Sequence, residues 1–313
     1  MKIPTGYFVY KGVVTMGRKI ATVLVCLLLL SGLGFILYPT VSNWVNELHS
    51  SKNIASYLSR METLSQEEID AQFKIAEEFN KHLLKSRNRW KPSIELLDEY
   101  NKALNVFNSG IMSVVSIPRL NVSMSVYHGT SDTVLQVSAG HMEGSTLPIG
   151  GLGTHAVISG HTGLPSAELF TNLDQLELGD IFIVNTLNKN MAYKVCSINT
   201  VLPTEMEYLD IDKERDLVTL LTCTPYGVNS HRLLVTGERI ELDETQTEEI
   251  SKKVEQTEHI KITPTSILIC CSSLFVLVMF IWLLVSNVKS NKKKAKHYSI
   301  DKVLNEENVK EKD

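Results

Sequence analysis

The sequence predicts a mainly β protein: a closed or nearly closed β-barrel with short helices, preceded by a helical N-terminal region and flanked by two transmembrane helices. Three observations carry this prediction. From Ile111 onward, short β-branched runs alternate with turn residues. Only one short helix, about Ser166–Leu169, is expected among them, and many strands with few helices favour a barrel. Two long uncharged runs bracket the whole of this region.

The first run, Ile20–Tyr38, comes directly after Arg18 and Lys19, and as a helix it would be about 28 Å long, close to the hydrocarbon thickness of a bilayer. A cleaved signal peptide is the alternative, and either reading exports residues 39–265. The second run, Ile267–Val288, would measure about 33 Å and precedes Lys289, Lys292, Lys293, Lys294 and Lys296. Both basic flanks lie at the outer ends of the chain, so the positive-inside rule puts both termini in the cytoplasm and the middle outside. Charge segregates accordingly: +4 over residues 1–38, −11 over 39–265 and +3 over 266–313, from 31 basic and 35 acidic side chains in all. An acidic exported part argues against a nucleic-acid partner, because phosphates require a basic face. A hydrophobic fraction of 43% against 21% charged excludes a disordered or fibrous polymer.

Residues 42–108 read as helical, with apolar residues near spacings of three and four, among them Trp44, Leu48, Ile69, Phe73, Ala76 and Phe79. Ser65-Gln66-Glu67-Glu68 has the pattern of a capping box, and Pro92 and Asn108-Ser109-Gly110 mark breaks. Strands are expected at Met112–Ile117, Ser123–Tyr127, His155–Ser159, Ile181–Asn185, Met191–Val201, Leu217–Thr222 and Leu233–Ile240, with a hairpin turn at Asn188-Lys189-Asn190. The chain thus divides into a cytoplasmic tail (1–19), a transmembrane helix or signal-anchor (20–38), a helical spacer or lid region (39–109), the barrel (110–241), an acidic linker (242–265), a second transmembrane helix (266–288) and a basic cytoplasmic tail (289–313).

Only Cys196 and Cys223 fall in the exported part. They either pair as one bridge or stay free, in which case Cys196 reads as a buried apolar filler. Zinc lacks its usual spacings, since there is no His-Glu-x-x-His and no Cys-x-x-Cys. The acidic stretch Glu205–Asp216 reads as a solvated loop rather than a calcium site. A cysteine nucleophile fits better. Cys223 ends the strand Val218–Thr222, and Arg232 opens the next after a loop holding Pro225, Gly227 and Asn229. If the two strands pair antiparallel, their ends lie on neighbouring strands about 5 Å apart, which brings thiol and guanidinium to one rim. His161 likewise comes just after a strand end. A free thiol is only a few per cent thiolate at neutral pH, and neighbouring cations raise that fraction. Arginine cannot act as a base, whereas histidine can move the proton. From spacing alone, three unrelated side chains remain an equal reading.

The segment Thr219-Leu220-Leu221-Thr222-Cys223-Thr224-Pro225-Tyr226-Gly227-Val228-Asn229-Ser230-His231-Arg232-Leu233 resembles the Thr-Leu-x-Thr-Cys signature of sortases with its downstream Arg, in its class C, pilus-specific form. Val157-Ile158-Ser159-Gly160-His161-Thr162-Gly163-Leu164-Pro165 is similar to the family's histidine segment, and Tyr127–Thr130 and Gly140–Pro148 also look like class C stretches. The resemblance covers roughly Gly110 to Ile240. It implies a cysteine transpeptidase on a closed eight-stranded sortase-type β-barrel that cleaves a Leu-Pro-x-Thr-Gly-like sorting signal. Cys223 would form the thioacyl enzyme, His161 would protonate the departing Gly amine, and Arg232 would orient the peptide or its oxyanion. A Lys amine of a pilin subunit would then resolve the intermediate, joining subunits by isopeptide bonds into a covalent pilus at the cell wall. No cofactor is implied, because thioacyl transfer conserves the energy of the peptide bond it breaks. His231 is expected to be structural.

The chain departs from the class C pattern at one place. Class C members carry a lid with an Asp-Pro-aromatic motif, whereas the corresponding stretch here is Asn88-Arg89-Trp90-Lys91-Pro92-Ser93, which implies an open or differently gated site. Two other functions stay in view: attachment of single proteins to peptidoglycan, and a non-catalytic binding barrel at the surface.

Overall fold

The computed structural model describes residues 5–242, 272–274 and 277–278. The chain divides into two units, Tyr38–Lys261 and Met1–Leu37 with Ile262–Asp313. Among the described residues one helix is long and apolar enough to cross a membrane. It is α1, Thr5–Met61, which contains the uncharged run Ile20–Tyr38. The second expected span, 266–288, lies outside the described residues except for two short helical pieces, so a pair of spans is an expectation and one apolar helix is the finding.

The end of α1, α2 (Gln66–Lys85) and α3 (Ile94–Lys102) pack on the barrel. The capping box that opens α2 forms as the sequence predicts: Glu68 N–H donates to Ser65 Oγ and Ser65 N–H donates to Glu68 Oε2. Ile69, Ala76, Phe79 and Leu83 give α2 its buried stripe, while Ile75 falls on the outer face. Two contacts fasten the helices. Leu147 N–H donates to Asn80 Oδ1, and Asn80 Nδ2 donates back to Leu147 O. Tyr100, on α3, reaches the fully buried His141 with its hydroxyl.

Eight strands close the barrel: β1 (Ile111–Ile117), β2 (Val122–His128), β3 (Ala139–His141), β4 (Thr154–Ser159), β5 (Ile181–Thr186), β6 (Lys189–Val201), β7 (Asp216–Thr224) and β8 (His231–Ile240). Around the barrel their order is β1-β2-β3-β4-β7-β8-β6-β5, closing on β1. The β2/β3 and β4/β7 pairs are parallel and the remainder antiparallel. Every residue of β1 is buried, since the barrel interior covers one face and the helices cover the other. Phe182 and Tyr193 stack in the interior, where Gly237 leaves the room: a Cβ there would lie 2.6 Å from the Phe182 ring.

Local corrections to the sequence reading are small and have physical reasons. Strand β3 escapes the pattern because it is three residues long and begins Ala-Gly. The turn between β5 and β6 is Leu187-Asn188, with Leu187 at φ +55°, so Lys189 and Asn190 are already paired. The helix expected at Ser166–Leu169 is a turn closed by a Leu164–Ala167 bridge, with Pro165 at its corner. Cys196 is not buried: it sits exposed at a bulge in β6, between Val195 and Ser197, and Arg215 Nη2 approaches its sulfur at 3.4 Å. Cys196 and Cys223 are both free, which excludes the 196–223 bridge.

Candidate active site

Parallel pairing of β4 with β7 sets the site. Ser159 is level with Leu221, so the next residues of each strand emerge at the same rim. Gly160 locks the two chains together there: its N–H donates to Leu221 O at 3.0 Å, and Thr222 Oγ1 donates to Gly160 O at 2.7 Å. One residue further along, the chain leaving β4 presents His161 and β7, still paired, presents Cys223. On the other side β8 runs antiparallel to β7, and Cys223 pairs directly with Arg232. The antiparallel pairing anticipated from the sequence is thus realised.

His161, Cys223 and Arg232 line one cavity of about 300 Å³. All three expected side chains come together; His231 pairs with Thr224, bonds Ser230 Oγ through Nδ1, and does not line this cavity. Arg232 Nη1 donates to the carbonyls of Asn229 and His231, and the guanidinium has no carboxylate partner among the described residues. A cation held by carbonyls rather than neutralised keeps its charge for a carboxylate or a developing oxyanion.

The histidine segment is gripped at both ends. A Cβ on Gly160 would lie 2.6 Å from the Phe170 ring, and one on Gly163, at φ +73°, would lie 3.0 Å from the Tyr226 ring. Each glycine therefore lets an aromatic ring lie against the main chain beside His161. Phe170 N–H donates to His161 O, and Gly163 N–H donates to Thr171 Oγ1.

The opposite wall of the cavity is apolar and was missed by sequence reasoning. It comes from the connection between β6 and β7, where Leu202, Met206 and Leu209 face the groove and Met206–Leu209 forms a short 3-10 turn. This is the start of the stretch read from its carboxylates as a solvated loop. The apolar spacing of 202, 206 and 209 was the signal available. Glu205 does not face solvent alone; its Oε2 accepts the Leu202 N–H. Beneath the wall, the buried His155 hydrogen-bonds Asp210 O through Nδ1 and Thr219 Oγ1 through Nε2. Burial lowers its pKa below the usual histidine value.

The stretch aligned with the expected lid, Asn88–Ser93, docks beside the groove. Arg89 and Trp90 contact the barrel, but neither is among the residues lining the cavity, so the groove reaches Cys223 past them.

The comparisons agree with this geometry. The family model described as the sortase domain matches residues 115–240, from β1 to the end of β8. The crystal structure of sortase C1 from Streptococcus agalactiae is 44% identical, covers 61% of this chain and 100% of its own, and superposes with a TM-score of 0.59. Clostridium perfringens sortase C, solved with a C-terminal cell wall sorting motif, is 37% identical over 61% of this chain and 99% of its own, with a TM-score of 0.53. Among curated relatives, Sortase A of Streptococcus agalactiae serotype III is 27% identical over 48% of this chain, which spans only 63% of that relative's length. A family domain filling the barrel, and a 44% identical relative matched along its whole length, make this chain a member of the sortase family.

Proposed function

We propose that the protein is a membrane-anchored cysteine transpeptidase that joins pilin subunits through isopeptide bonds. The observation that carries this reading is the shared cavity of Cys223, His161 and Arg232 against an apolar wall, in a chain whose solved neighbours include class C sortases. An extended Leu-Pro-x-Thr-Gly-like signal fits such a groove, with its apolar end on the Leu202, Met206 and Leu209 side. The Cys223 thiolate attacks the Thr carbonyl, and Arg232 stabilises the oxyanion that forms. As the Thr–Gly bond breaks, His161 gives its proton to the departing Gly amine, leaving a thioester on Cys223. A Lys amine from a second subunit then attacks the thioester carbonyl. It loses a proton to His161, and the Cys223 thiolate is released as the isopeptide bond forms. The apolar part of α1 anchors the enzyme, and the barrel, residues 110–241, works outside the cell where the sorting signals are displayed.

Mass spectrometry of the products formed by the full-length protein from candidate subunits tests this. The expected product carries a bond between the Thr carbonyl of one chain and a Lys side chain of another, and Cys223→Ala abolishes it. Undiminished joining by Cys223→Ala would overturn the mechanism, and a product on a peptidoglycan bridge amine would redirect it to wall anchoring.

A further inference from the structure

Arg89 and Trp90 occupy the place where a gate would be expected, yet their contacts are those of a fastening. One guanidinium reaches two separate loops. Nη1 donates to Gly144 O, between β3 and β4, at 3.3 Å; Nη2 donates at 2.9 Å to both Leu209 O and Asp210 Oδ1, between β6 and β7. The ion pair within this set is weak by itself, because the Asp210 side chain is 72% exposed. The carbonyl bonds matter more, since Arg89 is only 15% exposed and its donors would otherwise be left poorly solvated. Arg89 lies over the Trp90 ring at 4.3 Å, and Trp90 packs against the cluster of Val157, Val201, Leu209 and Leu234. The fit around this pair admits no slack. A Cβ on Gly144 would stand 2.5 Å from Arg89 O and 2.7 Å from the Trp90 ring. Residues 209–210 are thereby held from two sides, by Arg89 from outside and by His155 Nδ1 at Asp210 O from beneath.

We propose that Arg89 is a positioning residue: it braces the connection between β6 and β7 in the shape that receives the sorting signal, and does not shut the groove. The proposal rests on the transpeptidase reading for its substrate. A brace and a gate predict opposite signs. Removing a gate exposes the thiol and speeds turnover; removing a brace leaves the thiol as it was and loosens the wall. If the wall is then in its receptive shape in one molecule in ten, the KM for a sorting peptide rises about tenfold at unchanged kcat.

The test uses the full-length protein in detergent and compares wild type with Arg89→Met, which keeps the stem on Trp90 and removes the donors. Three quantities are read: cleavage of a fluorogenic Leu-Pro-x-Thr-Gly peptide, alkylation rate of Cys223, and amide hydrogen exchange across residues 202–210. The brace predicts a raised KM, unchanged kcat and alkylation, and faster exchange in that segment. Gly144→Ala displaces the same residues while keeping every donor and is expected to act alike, so it decides the matter if Arg89→Met fails to fold. Faster alkylation with faster turnover, or exchange that does not change, overturns the proposal. The exchange measurement needs no substrate: a protein that cleaves no sorting peptide but shows the local rise keeps the brace and loses the proposed reaction.

Discussion

Lowering the pH should loosen the attachment of the helical region through His141. The imidazole is fully buried; Nε2 hydrogen-bonds Thr146 O at 2.8 Å, and Nδ1 faces the Tyr100 hydroxyl at 3.0 Å. Burial lowers its pKa from 6.5 to about 4, with the Thr146 carbonyl opposing the shift and His128 adding to it. The neutral ring is therefore the folded form. Below pH 6.5 the unfolded chain binds the proton that the folded chain refuses, so stability is complete above that pH and falls toward pH 4. The linkage relation gives a loss of about 2 kcal/mol between pH 7.5 and 5, and a ceiling of about 3 kcal/mol. Stopping at pH 5 keeps carboxylate protonation largely out of the window. His155 shifts in the same direction, so the comparison must be with His141→Gln, which can still donate to Thr146 O and does not titrate. Urea unfolding of residues 39–242, monitored by tryptophan fluorescence at pH 7.5, 6.5, 5.5 and 5, measures the difference. If His141→Gln loses as much stability over that range as wild type, the buried ring is not the source and the argument fails.

The helical cover and the rim are each open to a single-residue test. Asn80→Ala strands the buried Leu147 N–H and should lower unfolding free energy by about 1–3 kcal/mol, read from the same urea curves; a neutral result would mean that water reaches the site. Tyr226→Ala removes the ring from Gly163 and should reduce peptide turnover roughly tenfold, short of the 10²-fold loss expected for a 1 Å misplacement, while Tyr226→Phe stays near wild type. An equal loss in the Phe variant would assign the effect to the hydroxyl instead.

Much of the barrel was legible because strand periodicity is a local property. Seven of the eight strands announced themselves through β-branched runs bounded by turn residues, and Cys223 and Arg232 were within one loop of each other along the chain. His161 required more: it is 62 residues from Cys223, and only the parallel register of β4 on β7 brings them level. No periodicity encodes that pairing, and the family resemblance supplied the link. The wall of Leu202, Met206 and Leu209 was hidden by neighbouring carboxylates, which dominate composition although only Glu205 among them lines the cavity. Cys196 was misplaced because it was read by residue type: on β6 it shares the outward face with Lys194 and Ile198, while Tyr193 and Val195 point inward. The role of Arg89 was unreadable for a different reason, since its acceptors lie 55, 120 and 121 positions downstream and two of them are main-chain carbonyls.

On the proposed reading, the parallel seam between β4 and β7 also separates chemistry from selectivity. Because these strands run the same way, the chain must leave one rim after Ser159 and travel back before Asp216, and the wall of Leu202, Met206 and Leu209, where the proposed reading seats the peptide's apolar end, is housed in that excursion. His161 and Cys223 are held level by the seam itself, through Gly160, Leu221 and Thr222. Length and sequence changes within the excursion can therefore retune which signals are accepted while the thiol and imidazole keep their spacing. Chimeras that exchange residues 202–210 between relatives should inherit the donor's preference with the host's chemistry intact.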